Sequence, residues 1–158
     1  MNHELSAYVR IQAIITAAFS FFITGMVTAL IYHQADFVPT DAISLVIDLL
    51  ITCLLTYAIT SPFARASLRR DKVGGLIEAK SSFDRLLARL YRRPFWLSAL
   101  LGVCTFLTLS VLFVTLFALI SLEQVPFYPY VMLKSVLGSV LGAFVTVTVL
   151  YSGMLRMK

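Results

Sequence analysis

Long apolar runs that are nearly free of charge alternate with short polar connections along the chain. Each of four such runs reaches the roughly 20 residues that a helix needs to cross the hydrocarbon core of a bilayer. The pattern predicts an all-α membrane protein with four transmembrane helices, at residues 9–32, 40–63, 95–122 and 128–155. Short connections make two helical hairpins, residues 9–63 and 95–155, within one transmembrane domain at residues 1–158.

The basic residues predict the orientation of these helices. Nine of the thirteen Lys and Arg residues lie between Arg65 and Arg93, and three more lie near the ends of the sequence. Cytoplasmic segments are rich in Lys and Arg, so we expect both termini and the basic loop at residues 64–94 inside, with Tyr32 and Tyr130 at the outer interface. Both hairpins then start inside, and their similar layout indicates a parallel internal repeat. The net charge of +5 reflects this topology and disfavours a nucleic-acid partner.

Composition supports a membrane protein and narrows its chemistry. Hydrophobic residues make up 59% of the 158 residues, charged residues make up 13%, and the mean hydropathy is +0.90. A soluble domain with this composition would aggregate. Cys53 and Cys104 lie inside apolar runs without metal-ligand spacing, so we expect neither a disulfide nor a metal site. Because no catalytic motif or nucleotide-binding loop occurs, we predict no enzyme activity and no cofactor.

The basic loop contains a pattern typical of an amphipathic helix. Ser81 and Asp84 form a possible capping box, and apolar residues recur at helical spacing: Phe83, Leu86, Leu87 and Leu90. The basic residues that point away from them are Arg85, Arg89, Arg92 and Arg93. Anionic lipids attract such a helix to the inner leaflet by about 1 kcal/mol per Arg. The helix either serves topology and anchoring alone or has a regulatory or partner-binding role.

Asp48 is the strongest candidate for chemistry. It lies about 12 Å below the outer end of the second helix, where an ionised carboxylate costs at least about 2.5 kcal/mol on insertion scales. It must therefore face the bundle, be protonated or be paired. Lys134 lies at a comparable depth in the fourth helix, so we expect the two to be in contact. The pair either couples transport to a proton or ion or only fixes helix packing; alternatively, Lys134 snorkels to the surface.

Small polar residues recur every four positions in the first two helices, so they lie on one ridge of each helix. The first ridge is Gln12, Thr16, Ser20, Thr24 and Thr28, and the second is Ser44, Asp48, Thr52, Thr56 and Thr60. The ridges favour close helix packing with interhelical hydrogen bonds, and the alternative is a lining for a solute path. In the fourth helix, Gly138 and Gly142 form a GxxxG motif that either joins a neighbouring helix or builds a homodimer.

The end of the second helix resembles a known family. The segment from Leu54 to Arg65, an apolar helix that ends in small-Pro-apolar-small-Arg, is similar to a bacterial family of small membrane proteins of uncharacterised function, built from one or two copies of a two-helix unit. The likeness covers residues 10–70 and, more loosely, 97–156, where Lys134 fits but a proline before Arg156 is missing. It implies a bacterial inner-membrane location and no particular activity. Within this segment, Pro62 predicts a kink or a stop of the helix.

Two functions fit these observations. The first is a transporter or efflux protein for a small solute, proton- or ion-coupled through Asp48. We expect a homodimer whose subunits point the same way, because twelve of the thirteen basic residues lie on one side. The second is a non-transporting accessory subunit of a larger membrane complex, which packs through Gly138, Gly142 and the basic loop. A polar cavity that reaches Asp48 would favour the transporter, and a closed apolar core would favour the accessory subunit.

Overall fold

The computed structural model describes residues 3–120 and 124–156, which form five α-helices and four short β-strands. The helices are α1 (His3–Ile31), α2 (Ala42–Arg70), α3 (Ser82–Tyr91), α4 (Pro94–Ile120) and α5 (Phe127–Met154). The strands are β1 (Phe37–Pro39), β2 (Ile77–Glu78), β3 (Gln124–Pro126) and β4 (Leu155–Arg156). The four long helices α1, α2, α4 and α5 are apolar enough to cross a membrane, which confirms the four predicted segments. Their orientation, the two hairpins and the internal repeat stay predictions.

Helix α2 is longer than its apolar pattern predicts. It begins after Asp41, whose carboxylate accepts a hydrogen bond from the backbone N–H of Ser44 at 3.1 Å and so caps the helix. It then continues for two turns beyond Pro62, so the predicted stop is wrong and the basic loop begins later than residue 64. Proline removes one backbone donor, but most of the following residues are good helix formers. Two of them, Ala64 and Leu68, are also buried in the core.

Helix α5 lies at the centre of the bundle. α1 packs along α5, α2 packs on another side of α5, and α4 packs against α2. α1 and α2 touch only sparsely although they are consecutive in the chain. The main core contains fully buried residues of α4 and α5, including Leu97, Val145 and Met154. Most other apolar residues of α4 are exposed, as expected for a spanning helix in contact with lipid.

Short strand pairs lie at the two ends of the bundle. β1 and β3 pair antiparallel, with Val38 opposite Val125, at what we call the β1/β3 end. β2 and β4 pair parallel, with Ile77 opposite Leu155, and lie beside α3 at what we call the α3 end. The first pair joins the α1–α2 connection to the α4–α5 connection. The second joins the segment before α3 to the residues after α5.

Helix α3 begins with the predicted capping box. The Ser81 hydroxyl accepts a hydrogen bond from the backbone N–H of Asp84 at 3.0 Å, and the Asp84 carboxylate accepts one from the backbone N–H of Ser81 at 3.0 Å. Its apolar face differs from the prediction, because Leu87 packs into the core whereas Phe83 and Leu86 are exposed. Contacts with α4 and α5 account for this division of the face. The predicted basic residues are all exposed: Arg85, Arg89, Arg92 and Arg93.

Candidate functional site

Asp48 and Lys134 form an ion pair inside the bundle. Lys134 Nζ lies 2.7 Å from Asp48 Oδ2 and donates a longer hydrogen bond, 3.3 Å, to the Asp48 backbone carbonyl. Asp48 is 4% exposed and Lys134 is 1% exposed. Each lies roughly 10 Å from the β1/β3 end of its helix, at 1.5 Å per residue. The predicted contact is confirmed, and Lys134 does not snorkel to the surface.

Tyr130 completes the surroundings of the carboxylate. Its hydroxyl donates a hydrogen bond to the same Asp48 oxygen that Lys134 contacts. The Tyr130 side chain is buried and meets the ring of Tyr32 edge to face, with the ring centroids 5.7 Å apart. The sequence predicts only that both tyrosines lie at the outer interface, and it does not predict the hydrogen bond from Tyr130 to Asp48. The available signal was the four-residue spacing between Tyr130 and Lys134, which places both on one face of α5.

Residues of the two predicted polar ridges border a series of gaps between α1 and α2, which we call the hydroxyl cleft; on α1, the Ser20 and Thr24 hydroxyls lie against the α5 glycines. Its buried residues are Thr16, Ser20, Thr24 and Thr28 of α1, and Asp48, Thr52, Thr56 and Thr60 of α2. Further towards the α3 end, a separate open groove of about 410 Å³ lies between the same helices; its walls are almost entirely apolar, with exposed Phe19 and Phe22, and also include Thr16 and Thr60. Two spaces of about 10 Å³ follow, and the second borders Asp48. Each has room for about one water molecule.

Hydrogen bonds within the helices hold several hydroxyls of the cleft in place. Three of them donate to the backbone carbonyl four residues earlier, over 2.8 to 2.9 Å: Thr16, Thr28 and Thr52. Such a bond uses the hydroxyl proton and leaves oxygen lone pairs that can accept another bond. Gln12 extends the line, because its Oε1 accepts a long hydrogen bond, 3.4 Å, from the Ser67 hydroxyl of α2. Ser44 does not belong to it and lies half-buried in the first turn of α2.

The GxxxG motif of α5 packs against α1. A Cβ atom added at Gly138 would lie 2.6 Å from Thr24 Cβ, and one added at Gly142 would lie 2.7 Å from Ser20 Cβ. These distances leave no room for a side chain, so the glycines let α1 and α5 approach closely. Of the two alternatives for this motif, the structure selects contact with a neighbouring helix. Thr24 and Ser20 therefore touch α5 as well as lining the cleft.

The comparisons with known proteins add no family to this description. Within residues 3–120 and 124–156, no group of three His, Cys, Asp or Glu side chains could hold a metal ion. No protein-family model matches the chain, and neither a curated protein nor a solved structure was found to be similar to it. The resemblance to the bacterial two-helix family stays a prediction. The fold and the site define a helical bundle with four candidate membrane spans and a buried ion pair beside the hydroxyl cleft.

Proposed function

We propose that the protein is a small multipass transporter or efflux protein of a bacterial inner membrane, which moves a small solute and is proton- or ion-coupled through Asp48. The supporting observation is the buried ion pair of Asp48 and Lys134, beside which the hydroxyl cleft holds a space of about 10 Å³. Ionisable residues within membrane spans are rare, and they mark ion or substrate pathways.

The ion pair is placed to hold α2 against α5 and, when it breaks, to release it. One oxygen of ionised Asp48 interacts with both the Lys134 ammonium and the Tyr130 hydroxyl. A proton that binds this carboxylate removes the negative charge, so the Coulomb attraction to Lys134 is lost. α2 can then move away from α5 and widen the narrow part of the cleft. In this scheme the spaces of about 10 Å³ beside Asp48 belong to the closed state, since they are too small for a solute.

The proposal includes a homodimer with both subunits in the same orientation. Four helices rarely enclose a solute path by themselves, and an antiparallel dimer would need basic residues on both sides of the membrane. The face of α5 that carries Gly138 and Gly142 is occupied by α1. The exposed apolar surface of α4 is the more suitable dimer contact.

Solute-driven proton movement in liposomes tests this proposal. The purified protein is reconstituted around a pH-sensitive dye, a proton gradient is imposed, and amino acids, sugars and organic cations are added in turn. We expect one solute class to accelerate the pH change, and we expect the double variant Asp48→Asn/Lys134→Met to remain at the rate of protein-free liposomes. The double variant leaves no unpaired buried charge, so its fold should be retained.

Isosteric threonine variants provide the matched controls. Thr56→Val removes a hydroxyl inside the cleft and should slow solute-driven proton movement. Thr108→Val removes an exposed hydroxyl of α4 and should leave the rate unchanged. The proposal is wrong if the wild-type protein stays at the protein-free rate with every solute class, or if the folded double variant matches the wild type.

A non-transporting accessory subunit is the second candidate. The observation that favours it is the exposed apolar surface of α4, which is covered on one side by α2 and offers a larger partner a long contact surface. Cross-linking in native membranes followed by purification distinguishes the two functions. An accessory subunit should be recovered with one partner in constant ratio, and Leu107→Trp in the middle of the exposed surface should release that partner.

A further inference from the structure

A second groove lies on the other side of α2, between α2 and α4. It encloses about 590 Å³ and is lined almost entirely by apolar side chains, from Leu50 at one end to Arg65 at the other. These residues are about 22 Å apart along α2 at 1.5 Å per residue. One leaflet of the hydrocarbon core is only about 15 Å deep. The groove is therefore long enough for an acyl chain that enters from the leaflet at the α3 end.

Two hydrogen bonds between α2 and α4 shape the floor of this groove. The Tyr57 hydroxyl lies 2.6 Å from Thr105 Oγ1, and the Ser61 and Ser98 hydroxyls are 2.7 Å apart. Because these hydroxyls bind one another, they place no unpaired polar group against an apolar occupant. Gly102 lines the groove, and a Cβ added there would lie 3.7 Å from the nearest ring atom of Tyr57, an ordinary contact, so only a larger side chain would fill the groove.

Arg65 places a positive charge at the α3 end of the groove. Its Nη1 donates a hydrogen bond to the Tyr91 carbonyl at 2.8 Å, and its guanidinium carbon lies 4.3 Å from the centre of the Tyr91 ring. Its Nε and Nη2 are buried and have no hydrogen-bond acceptor within the part of the chain that the structure describes. Buried donors that belong to a charged group are costly when they stay unpaired. An anionic acceptor at this position would satisfy them.

We infer that the groove between α2 and α4 binds one anionic phospholipid, with an acyl chain along the apolar wall and the phosphate at Arg65. A guanidinium donates two parallel hydrogen bonds to phosphate oxygens, a geometry that fits Nε and Nη2. Further arginines lie close by in the chain, at the exposed positions Arg69, Arg92 and Arg93, and favour a negative head group. Because Nε and Nη2 are buried, the guanidinium turns towards the groove to reach the phosphate. This site is separate from the hydroxyl cleft and does not depend on the transport proposal.

Native mass spectrometry of the detergent-purified protein tests this inference. The protein is titrated with dioleoyl phosphatidylglycerol and, separately, with dioleoyl phosphatidylcholine, which has the same acyl chains and a neutral head group. We expect one phosphatidylglycerol per protomer to bind with clear preference. Arg65→Gln should weaken its binding about tenfold, since charge-assisted hydrogen bonds are lost. Gly102→Leu fills the groove and should weaken binding by a similar factor while the protein stays folded.

Two matched variants and a competitor make the result decisive. Arg10→Gln removes the same charge from an exposed position of α1, and Val111→Phe adds bulk to an exposed position of α4 outside the groove; neither should change lipid binding. Inorganic phosphate at the same concentration should not compete, because it lacks the acyl chain. Equal binding of both lipids, equal effects of Arg65→Gln and Arg10→Gln, or full competition by inorganic phosphate would each overturn the inference.

Discussion

The two sides of helix α2 have very different surroundings. Towards α1 and α5 it presents a line of hydroxyls and the ion pair with Lys134, and the spaces there close to about 10 Å³ beside Asp48. Towards α4 it presents apolar side chains around a groove of about 590 Å³ with Arg65 at one end. The polar side is closed beside Asp48, whereas the apolar side is open along the groove. Because water is absent from the bilayer core, buried polar groups must find partners within the protein, whereas apolar groups can be left to lipid.

This difference separates the roles of Asp48 and Arg65, two of the charged residues of α2. Asp48 is paired by two side chains of α5, so its charge is contained within the protomer. Arg65 stacks on Tyr91 but retains two buried donors without an acceptor in the described residues. Asp48 is therefore placed to hold α2 against α5 or to release it. Arg65 is placed to bind an anionic group that the chain itself does not supply.

The largest expected effect comes from breaking the ion pair on the polar side. Lys134→Met leaves Asp48 buried without its cation, which should lower the free energy of unfolding by about 3–5 kcal/mol. Chemical unfolding in detergent micelles measures this change. Lys80→Met, at an exposed position, serves as the control and should change stability by less than about 0.5 kcal/mol. A loss below about 1 kcal/mol for Lys134→Met would contradict the role of the pair in holding α2 to α5.

An effect of intermediate size is expected when one methyl group is added at each of two helix interfaces, α1–α5 and α2–α4. Gly142→Ala places a Cβ 2.7 Å from Ser20 Cβ, and this overpacking should cost about 1–3 kcal/mol. Gly102→Ala places a Cβ 3.7 Å from the nearest ring atom of Tyr57, where it fits, and a better helix former should add up to about 1 kcal/mol. Thermal unfolding of both variants checks the contrast. Equal destabilisation by the two substitutions would show that both interfaces are packed alike.

The smallest effect concerns α3, which lies outside both sides of α2. The backbone N–H of Ser81 donates a hydrogen bond to the Asp84 carboxylate and holds its pKa below the usual value of 3.8. A lowered pKa in the folded state means that the cap contributes stability above pH 3.8 and loses it as the pH falls through the lower folded value. Protection factors of the amides at residues 82–91, which correct for the intrinsic exchange rate at each pH, should therefore fall as the pH drops below 3.8. Asp84→Asn should remove this pH dependence, and an unchanged acid response would exclude the cap as its source.

Local sequence patterns were sufficient for several of these features. The apolar runs identified the four long helices, and the four-residue repeats identified the buried polar ridges of α1 and α2. The contact of Asp48 with Lys134 followed from matched depth and opposite charge, because few partners exist for a buried carboxylate. The capping box at Ser81 followed from its spacing to Asp84. Each of these signals lies within one helix or depends on depth alone.

Features that depend on which helices are neighbours could not be predicted in this way. The short connection places α1 and α2 together in the sequence, but α1 packs chiefly on α5. The groove arises because α2 lies beside α4. Pro62 reads locally as a helix stop, yet buried contacts of Ala64 and Leu68 favour continuation. The division of the α3 face between Leu87 and Leu86 also follows from tertiary packing. In each case the deciding contacts are distant in sequence.

The position of α5 also has a consequence for biosynthesis. The central helix of the bundle is the last of the five to be synthesised, and Lys134 follows Asp48 by 86 residues. At roughly 5–20 residues per second of translation, Lys134 is synthesised about 4 to 17 s after Asp48. During that interval α1 and α2 lack the helix on which both pack, so the final assembly step both pairs the Asp48 carboxylate and completes the bundle.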